Sequence, residues 1–196
     1  MLLVLHCHAP LRRYERALAL AVRDTPLDAG QKANDKVLWA SIAVNCALAY
    51  QRRAGTPSNE RSISLLESTL PIWEDRGDVE QLGRTMLQLG VLYFGRGLGE
   101  RECNVAHSVK LFDSTVRLVS LDRDVETWIS AALGLSDALM QLRGGDERLH
   151  AEKAMLMYSA AVSAIREGGV EDADALSHAQ RGYVVAKARF DRQSVI

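Results

Sequence analysis

The sequence predicts an all-α protein built from repeated antiparallel helix pairs. The chain of 196 residues is rich in helix-forming alanine, leucine, arginine and glutamate and contains only 4 prolines. Short motifs return at a fixed interval along it. Apolar residues recur at steps of three and four after helix-capping signals, as they do in amphipathic helices. These three observations favour helices over strands throughout.

The repeated motifs have a period of 46 residues. Asp78-Val79-Glu80 returns as Asp124-Val125-Glu126, 46 residues later. Leu70, Val116 and Val162 follow one another at the same step. One amphipathic helix pair cannot cover its own apolar faces, so repeated pairs have to stack in order to bury them. The period therefore predicts a continuous stack of helix pairs.

The stack is expected to form one domain over residues 1–196. Its predicted elements are three repeat units at about 28–77, 78–123 and 124–169, an N-terminal helix at 10–24 and a terminal helix at 170–191. Asp78 and Gln81 have the spacing of a capping box, which marks the start of a helix. Gly77 and Gly168-Gly169 mark helix ends. Glycine residues between 95 and 99 separate the two helices of the middle unit.

Small and large residues alternate at matching places in the first helix of each pair. The small ones are Ala47, Gly90 and Ser136, and the large ones, one turn later, are Tyr50, Tyr93 and Leu139. Small side chains let two helix backbones approach each other, and larger ones fill the space beside them. This alternation predicts the contact surface between neighbouring pairs.

These columns resemble the tetratricopeptide repeat. Leu89-Gly90 followed by Tyr93 is similar to the first helix of that repeat. Its second helix carries an aromatic residue three positions before a small one, as in Tyr14–Ala17, Phe112–Thr115 and Tyr158–Ala161. The resemblance covers about residues 10 to 190, with elongated repeats of about 46 residues instead of the usual 34. It implies a right-handed α-solenoid with a concave partner-binding face. A stack similar to HEAT repeats is the alternative architecture.

Charge, apolar run length and cysteine content limit the kinds of partner and the compartment that the sequence predicts. The chain has 24 basic and 25 acidic residues, a net charge of -1, which gives no field to attract nucleic acid. No apolar run is long enough to predict a membrane span. The 3 cysteines are too few for a disulfide framework. They indicate an intracellular, reducing compartment, with the cytoplasm favoured over an organelle.

No motif predicts catalysis, a cofactor or a metal. Cys103 and His107 are four residues apart on a predicted helix and share a face, but a structural zinc site needs four ligands and no second pair lies near. His6-Cys7-His8 is explained more simply as part of a flexible N-terminus. The sequence therefore predicts a protein that is not an enzyme.

The predicted function is a scaffold or adaptor, such as a structural subunit of a larger complex, that binds a protein or peptide partner. Polar residues on the first helices are the groove candidates: Asn45, Arg52, Arg84 and Gln88. They offer hydrogen bonds to a peptide backbone and charges for acidic side chains. The apolar N-terminus, residues 1–5, is a further surface for packing on another chain. The alternative is a sensor module that binds a small ligand between helices and signals to an effector.

Overall fold

The computed structural model describes residues 29–52 and 55–193, and its regular secondary structure in these ranges is entirely helical. The helices are α1 (Ala29–Gln51), α2 (Thr56–Arg76), α3 (Val79–Phe94), α4 (Arg101–Leu118), α5 (Val125–Gln141), α6 (Glu147–Glu167) and α7 (Ala173–Gln193). The predicted all-α class is confirmed. The helix predicted at 10–24, the apolar residues 1–5 and the His6-Cys7-His8 motif lie outside the described residues.

The chain forms two compact units, residues 1–85 and 86–196, with the division inside α3. In the first unit, α1 and α2 pack against each other. The Ser62 hydroxyl donates a hydrogen bond of 2.9 Å to the Ala47 carbonyl, so the two backbones approach closely at this small residue. Leu66 and Trp73 are buried on α2. The prediction of one domain over 1–196 stays a prediction.

In the second unit each helix packs on the next, from α4 through α5 and α6 to α7. Two apolar clusters hold these helices together. One contains Val105, Phe112, Leu135, Leu139, Tyr158 and Ala186, and the other contains Val119, Trp128, Ile129, Ala161, Ile165 and Ala179. This consecutive packing is compatible with a helical repeat fold.

Helix starts from α3 to α6 reproduce the period of the sequence. Val79 and Val125 begin α3 and α5, 46 residues apart, and Arg101 and Glu147 begin α4 and α6 at the same distance. However, α7 begins at Ala173, 48 residues after α5 and three residues later than predicted. The last helix, α7, is therefore shifted by two residues relative to this period.

Aspartate side chains cap the helix starts. Asp78 Oδ1 accepts the Gln81 amide at 3.1 Å, as the capping-box spacing predicts. Asp124, Asp146 and Asp172 accept the amide three residues on in the same way. These bonds satisfy amides that have no partner within the helix. Gly77, in the left-handed conformation at φ 67°, closes α2 as predicted.

Glycines in the first helices make room for aromatic rings from the second helices. A Cβ atom placed on Gly90 or Gly134 would lie 2.6 or 2.7 Å from a ring carbon of Phe112. A Cβ on Gly182 would lie 2.4 Å from Tyr158 Cζ. Phe112 and Tyr158 are 46 residues apart, and Gly134 and Gly182 are 48 apart. The same ring-on-glycine contact thus occurs twice in the second unit.

Candidate functional site

Three polar side chains from three consecutive helices meet in the second unit. The Tyr158 hydroxyl on α6 donates a hydrogen bond of 2.5 Å to Asp137 Oδ1 on α5. His178 Nε2 on α7 lies 3.0 Å from the same oxygen, and with its proton on Nε2 the imidazole donates a second hydrogen bond. We call these three residues the polar trio. It joins α5, α6 and α7 at one carboxylate.

Gly182 positions the tyrosine within the polar trio. The Tyr158 ring packs on the bare backbone of Gly182, so its hydroxyl reaches across to α5 instead of stopping at α7. Tyr158 is 3% exposed. Burial of the phenol raises its pKa far above the ordinary value, and the hydrogen bond to Asp137 and the negative charge of Asp137 add to the rise. The phenol therefore remains a protonated donor.

Asp137 is only partly used by these contacts. Both hydrogen bonds end on Oδ1, and no hydrogen bond from the described residues reaches Oδ2. The Asp137 side chain is 30% exposed, and His178 is 45% exposed. A carboxylate held at one oxygen and open at the other is a fixed acceptor for an incoming donor.

A cavity of about 320 Å³ opens beside the polar trio. Its apolar wall contains Phe94, Met140 and Val185, and its polar lining contains Gln141 and Arg181. The Arg181 guanidinium donates to Ser177 Oγ, one turn earlier in α7. Cavities with apolar walls and a few fixed polar groups are typical of ligand sites.

The preceding repeat has no such polar group at the equivalent place. Phe112 lies 46 residues before Tyr158 and carries no hydroxyl, and Val91 lies 46 residues before Asp137. Phe112 is 1% exposed and belongs to the apolar core. Valine and phenylalanine therefore stand where the aspartate and the tyrosine of the polar trio lie one repeat later. We expect these two polar groups to be a local addition to the fold and not a requirement of it.

Two of the groove residues predicted from the sequence lie at α1. Asn45 is exposed, and its Nδ2 donates to the Ser41 carbonyl at 3.0 Å within the same helix. Arg52 is exposed and directly follows the last residue of α1. Both belong to the first unit.

The other two predicted groove residues lie on α3. Arg84, in the first unit, pairs with Glu80 at 2.9 Å along the helix. Gln88, in the second unit, is half-buried, and its Oε1 has no hydrogen-bond partner within the described ranges. Gln88 does not line the cavity beside the polar trio. The assignment of these four residues to a partner-binding groove stays a prediction.

Sequence reasoning missed the polar trio because it placed the terminal helix at 170–191, directly after the helix end at Gly168-Gly169 and close to the 46-residue period. The helices α5 and α7 start 48 residues apart. With the longer step, His178 corresponds to Ser130 on α5. The spacing of 48 residues between Gly134 and Gly182 is the sequence signal for this register.

The cysteine and the histidine on α4 contact different neighbours. Cys103 Sγ lies 3.4 Å from Glu100 Oε2, and His107 stacks on Tyr93 with ring centroids 4.2 Å apart. The hydrogen bond to Glu100 and its negative charge raise the pKa of the Cys103 thiol, which disfavours a reactive thiolate. In the part of the chain that the structure describes, no group of three or more histidine, cysteine or acidic side chains is arranged to hold a metal ion.

A second polar cluster lies where α5 and α7 end and α6 begins. Arg189 donates to the Met140 carbonyl at 2.8 Å and to Glu147 Oε2 at 2.7 Å. One repeat earlier, Arg101 donates to the Phe94 carbonyl and to Gln141. The first residue of the second helix is thus Arg101 in one repeat and Glu147 in the next. The arginine of this cluster is therefore on α4 in one repeat and on α7 in the next. In both repeats it donates to a carbonyl at the end of the first helix, α3 or α5.

Glu147 is expected to make stability depend on acid. Hydrogen bonding to Arg189 and the charge of Arg189, with a smaller contribution from Gln193, lower the pKa of Glu147. A carboxylate whose folded pKa is depressed stabilises the fold above its unfolded pKa, and this contribution disappears as the pH falls through the folded pKa. Between about pH 5 and pH 3, the urea midpoint should therefore fall more for the unaltered protein than for Glu147→Gln.

Glu152→Gln is the control for this measurement, because Glu152 is an exposed carboxylate on the same helix. Its pH dependence should match that of the unaltered protein. Equal acid sensitivity of Glu147→Gln and the unaltered protein would contradict the assignment.

Comparisons with protein-family models, curated proteins and solved structures gave no match. The likeness to tetratricopeptide repeats therefore rests on the repeat pattern and on helix packing. Among the described helices, none combines the length and the apolar character needed to cross a membrane.

Proposed function

We propose that the protein is a non-catalytic interaction module, a scaffold or adaptor, that binds an extended segment of a protein partner across α5 and α7. We further infer that its helix pairs follow the tetratricopeptide pattern as a right-handed solenoid, in which the first helix of each pair faces the partner. The observation that carries the proposal is the polar trio, set beside an open cavity where the preceding repeat has apolar residues.

Exposed apolar residues next to the trio support binding of a protein segment. Val184 and Val185 on α7 are 64% and 58% exposed, and Val185 lines the cavity. Adjacent polar and apolar groups on rigid helices are typical of peptide-binding surfaces, where hydrogen bonds fix the register and apolar pockets supply affinity. Helices that are already packed also lose little entropy on binding.

Photo-crosslinking from two matched positions tests this proposal. A photoreactive amino acid replaces either Val185 in the cavity or Leu156 on α6, two aliphatic residues that are 58% and 55% exposed. Irradiation in the native host should give defined partner adducts from position 185 that are absent from position 156. Mapping the adducts by mass spectrometry should place them in one segment of one partner. The same adducts from both positions, or none from position 185, would contradict the proposal.

The second candidate is the sensor module, favoured by a cavity of about 810 Å³ at the ends of α5 and α7. Arg101, Arg143 and Arg189 line it together with Glu102 and Glu147. A small ligand bound there would contact four helices. Thermal shift measurements against a panel of small anionic metabolites test this function, and Arg143→Ala should abolish any shift. A shift that survives in Arg143→Ala would count against this cavity.

A further inference from the structure

We propose that the cavity beside Asp137 binds the basic side chain, lysine or arginine, of the partner segment, with the cationic head at Asp137 Oδ2. This inference rests on the proposed function and specifies the chemistry of the partner.

Asp137 carries a negative charge that no lysine or arginine of the described residues neutralises. Two other half-buried carboxylates in this unit hold one: Asp113 pairs with Lys153 at 2.6 Å and with Arg117 at 2.8 Å, and Glu147 pairs with Arg189 at 2.7 Å. Within the described ranges Asp137 pairs with His178 alone, and that imidazole carries a charge only when protonated. No lysine or arginine of the described chain lies within ion-pair distance of it. The fold thus leaves room for a cation from outside.

The Asp137 carboxylate is an acceptor of fixed orientation. Tyr158 and His178 hold Oδ1 from two directions, so the carboxylate cannot rotate freely. Oδ2 receives no hydrogen bond within the described residues. An ammonium or guanidinium group that donates to a fixed carboxylate makes a charge-assisted hydrogen bond, which is stronger than one between neutral groups. Because the acceptor is already oriented, little entropy is lost on binding.

The walls of the cavity beside Asp137 suit the apolar stem of a basic side chain. Phe94, Met140 and Val185 give apolar contact along the approach to the polar trio. Lysine and arginine carry a flexible apolar stem and a charged tip, and they bury the stem along apolar surfaces. The Phe94 ring already attracts a guanidinium, since that of Arg101 lies 5.1 Å from its centroid. A basic side chain matches both parts of the site.

One arginine of the cavity lining could favour an acidic ligand instead. Arg181 lines the same cavity, but its guanidinium is hydrogen-bonded to Ser177 Oγ and forms no ion pair with Asp137. Arg181 would favour an acidic ligand, whereas the open Asp137 oxygen repels a carboxylate. Apolar side chains and the Asp137 carboxylate line the same cavity, so the observations favour a basic occupant. An acidic occupant is an outcome that the experiment can reveal.

The test uses three small probes and the full-length protein. The probes are the N-acetyl methylamides of lysine, norleucine and glutamate, titrated while the methyl resonances of Val185 and Met140 are followed by NMR. Lysine and norleucine share the apolar stem and differ in the charged head. We expect the lysine probe to bind about tenfold more tightly than the norleucine probe in low salt. High salt should reduce the difference because ions screen a partly exposed charge.

Asp137→Asn should remove the preference for lysine over norleucine, since it keeps the shape of the side chain and removes its charge. The matched control is Asp191→Asn, which removes an exposed carboxylate from α7 and should leave the preference intact. The comparison of probes on the unaltered protein needs no variant and stands even if one misfolds.

Three results would overturn the inference: equal binding of lysine and norleucine, an unchanged preference in Asp137→Asn, or strongest binding by glutamate with loss in Arg181→Ala. The two proposals also fail separately. Crosslinked partner segments without a basic residue at the cavity would leave the interaction module standing and remove this inference. Lysine binding without any crosslinked partner would leave the cation site standing and remove the interaction module.

Discussion

Replacing Phe112 with alanine is expected to lower the free energy of unfolding by about 4 kcal/mol, near the middle of the range for buried phenylalanine. The ring is 1% exposed and belongs to the larger core cluster. Gly90 and Gly134 lie directly against it and have no side chains that move into the space it leaves. The cavity therefore cannot collapse easily. Urea unfolding followed by far-ultraviolet circular dichroism measures the loss.

The same packing predicts that the effect of Gly134→Ala reverses sign with the residue at position 112. In the unaltered protein the new Cβ would lie 2.7 Å from Phe112 Cζ, and the strain, about 1–3 kcal/mol, outweighs the gain in helix propensity of about 1 kcal/mol. In the Phe112→Ala background the clash disappears and only the gain remains. Gly134→Ala should then stabilise the protein.

Ser130→Ala serves as the control for this reversal, because Ser130 is exposed one turn earlier on α5. Its effect should be small and of the same sign in both backgrounds, since sites without shared contacts are additive. A stabilising effect of Gly134→Ala in the unaltered protein would show that the ring moves aside without cost.

Local signals predicted much of the fold. Asp78 caps α3 and Gly77 ends α2, because capping depends on residues only a few positions apart. The aromatic–small pairs Phe112–Thr115 and Tyr158–Ala161 are all buried, since i, i+3 spacing places both members on one helical face. Period and capping together predicted most helix boundaries to within three residues.

The polar trio depends on distant residues, and the sequence alone did not predict it. Its hydrogen bonds join residues 21 and 41 positions apart on three helices. The linker before α7 shifts the last helix by two residues relative to the earlier period, so a fixed step of 46 pairs the wrong positions. Only the contact between Gly182 and Tyr158 reveals the register. Contacts that depend on such a shift require coordinates.

The exchange between Arg101 and Glu147 illustrates a second limit. Both residues begin the second helix of a pair, yet their charges are opposite. Arg101 reaches Gln141 on the following helix, and Glu147 is reached by Arg189. A comparison of repeats residue by residue finds a mismatch at each position, although the contact between the two helices is preserved. Equivalent interactions are recognisable only as pairs.

The polar trio is expected to cost stability when it is half removed and little when it is fully removed. Asp137→Val alone leaves the buried Tyr158 hydroxyl without its acceptor, and an unsatisfied buried donor costs about 2 kcal/mol. Tyr158→Phe alone should cost about 1 kcal/mol or less, because Asp137 is partly exposed and keeps its contact with His178. Urea unfolding of each variant measures these losses.

The double variant Asp137→Val with Tyr158→Phe recreates the residues of the preceding repeat, Val91 and Phe112. Its stability should return to within about 1 kcal/mol of the unaltered protein, because both members of the hydrogen bond are removed together. A double variant as unstable as the sum of the single changes would instead mean that the fold requires these polar groups.

The double variant also separates stability from recognition. If it folds as well as the unaltered protein and no longer prefers the lysine probe to the norleucine probe, the polar groups contribute to binding and are dispensable for packing. A fold that is equally stable with valine and phenylalanine at these two positions has no structural need of the aspartate and the tyrosine. Loss of recognition without loss of stability is therefore the result that distinguishes a binding site from a repeat contact.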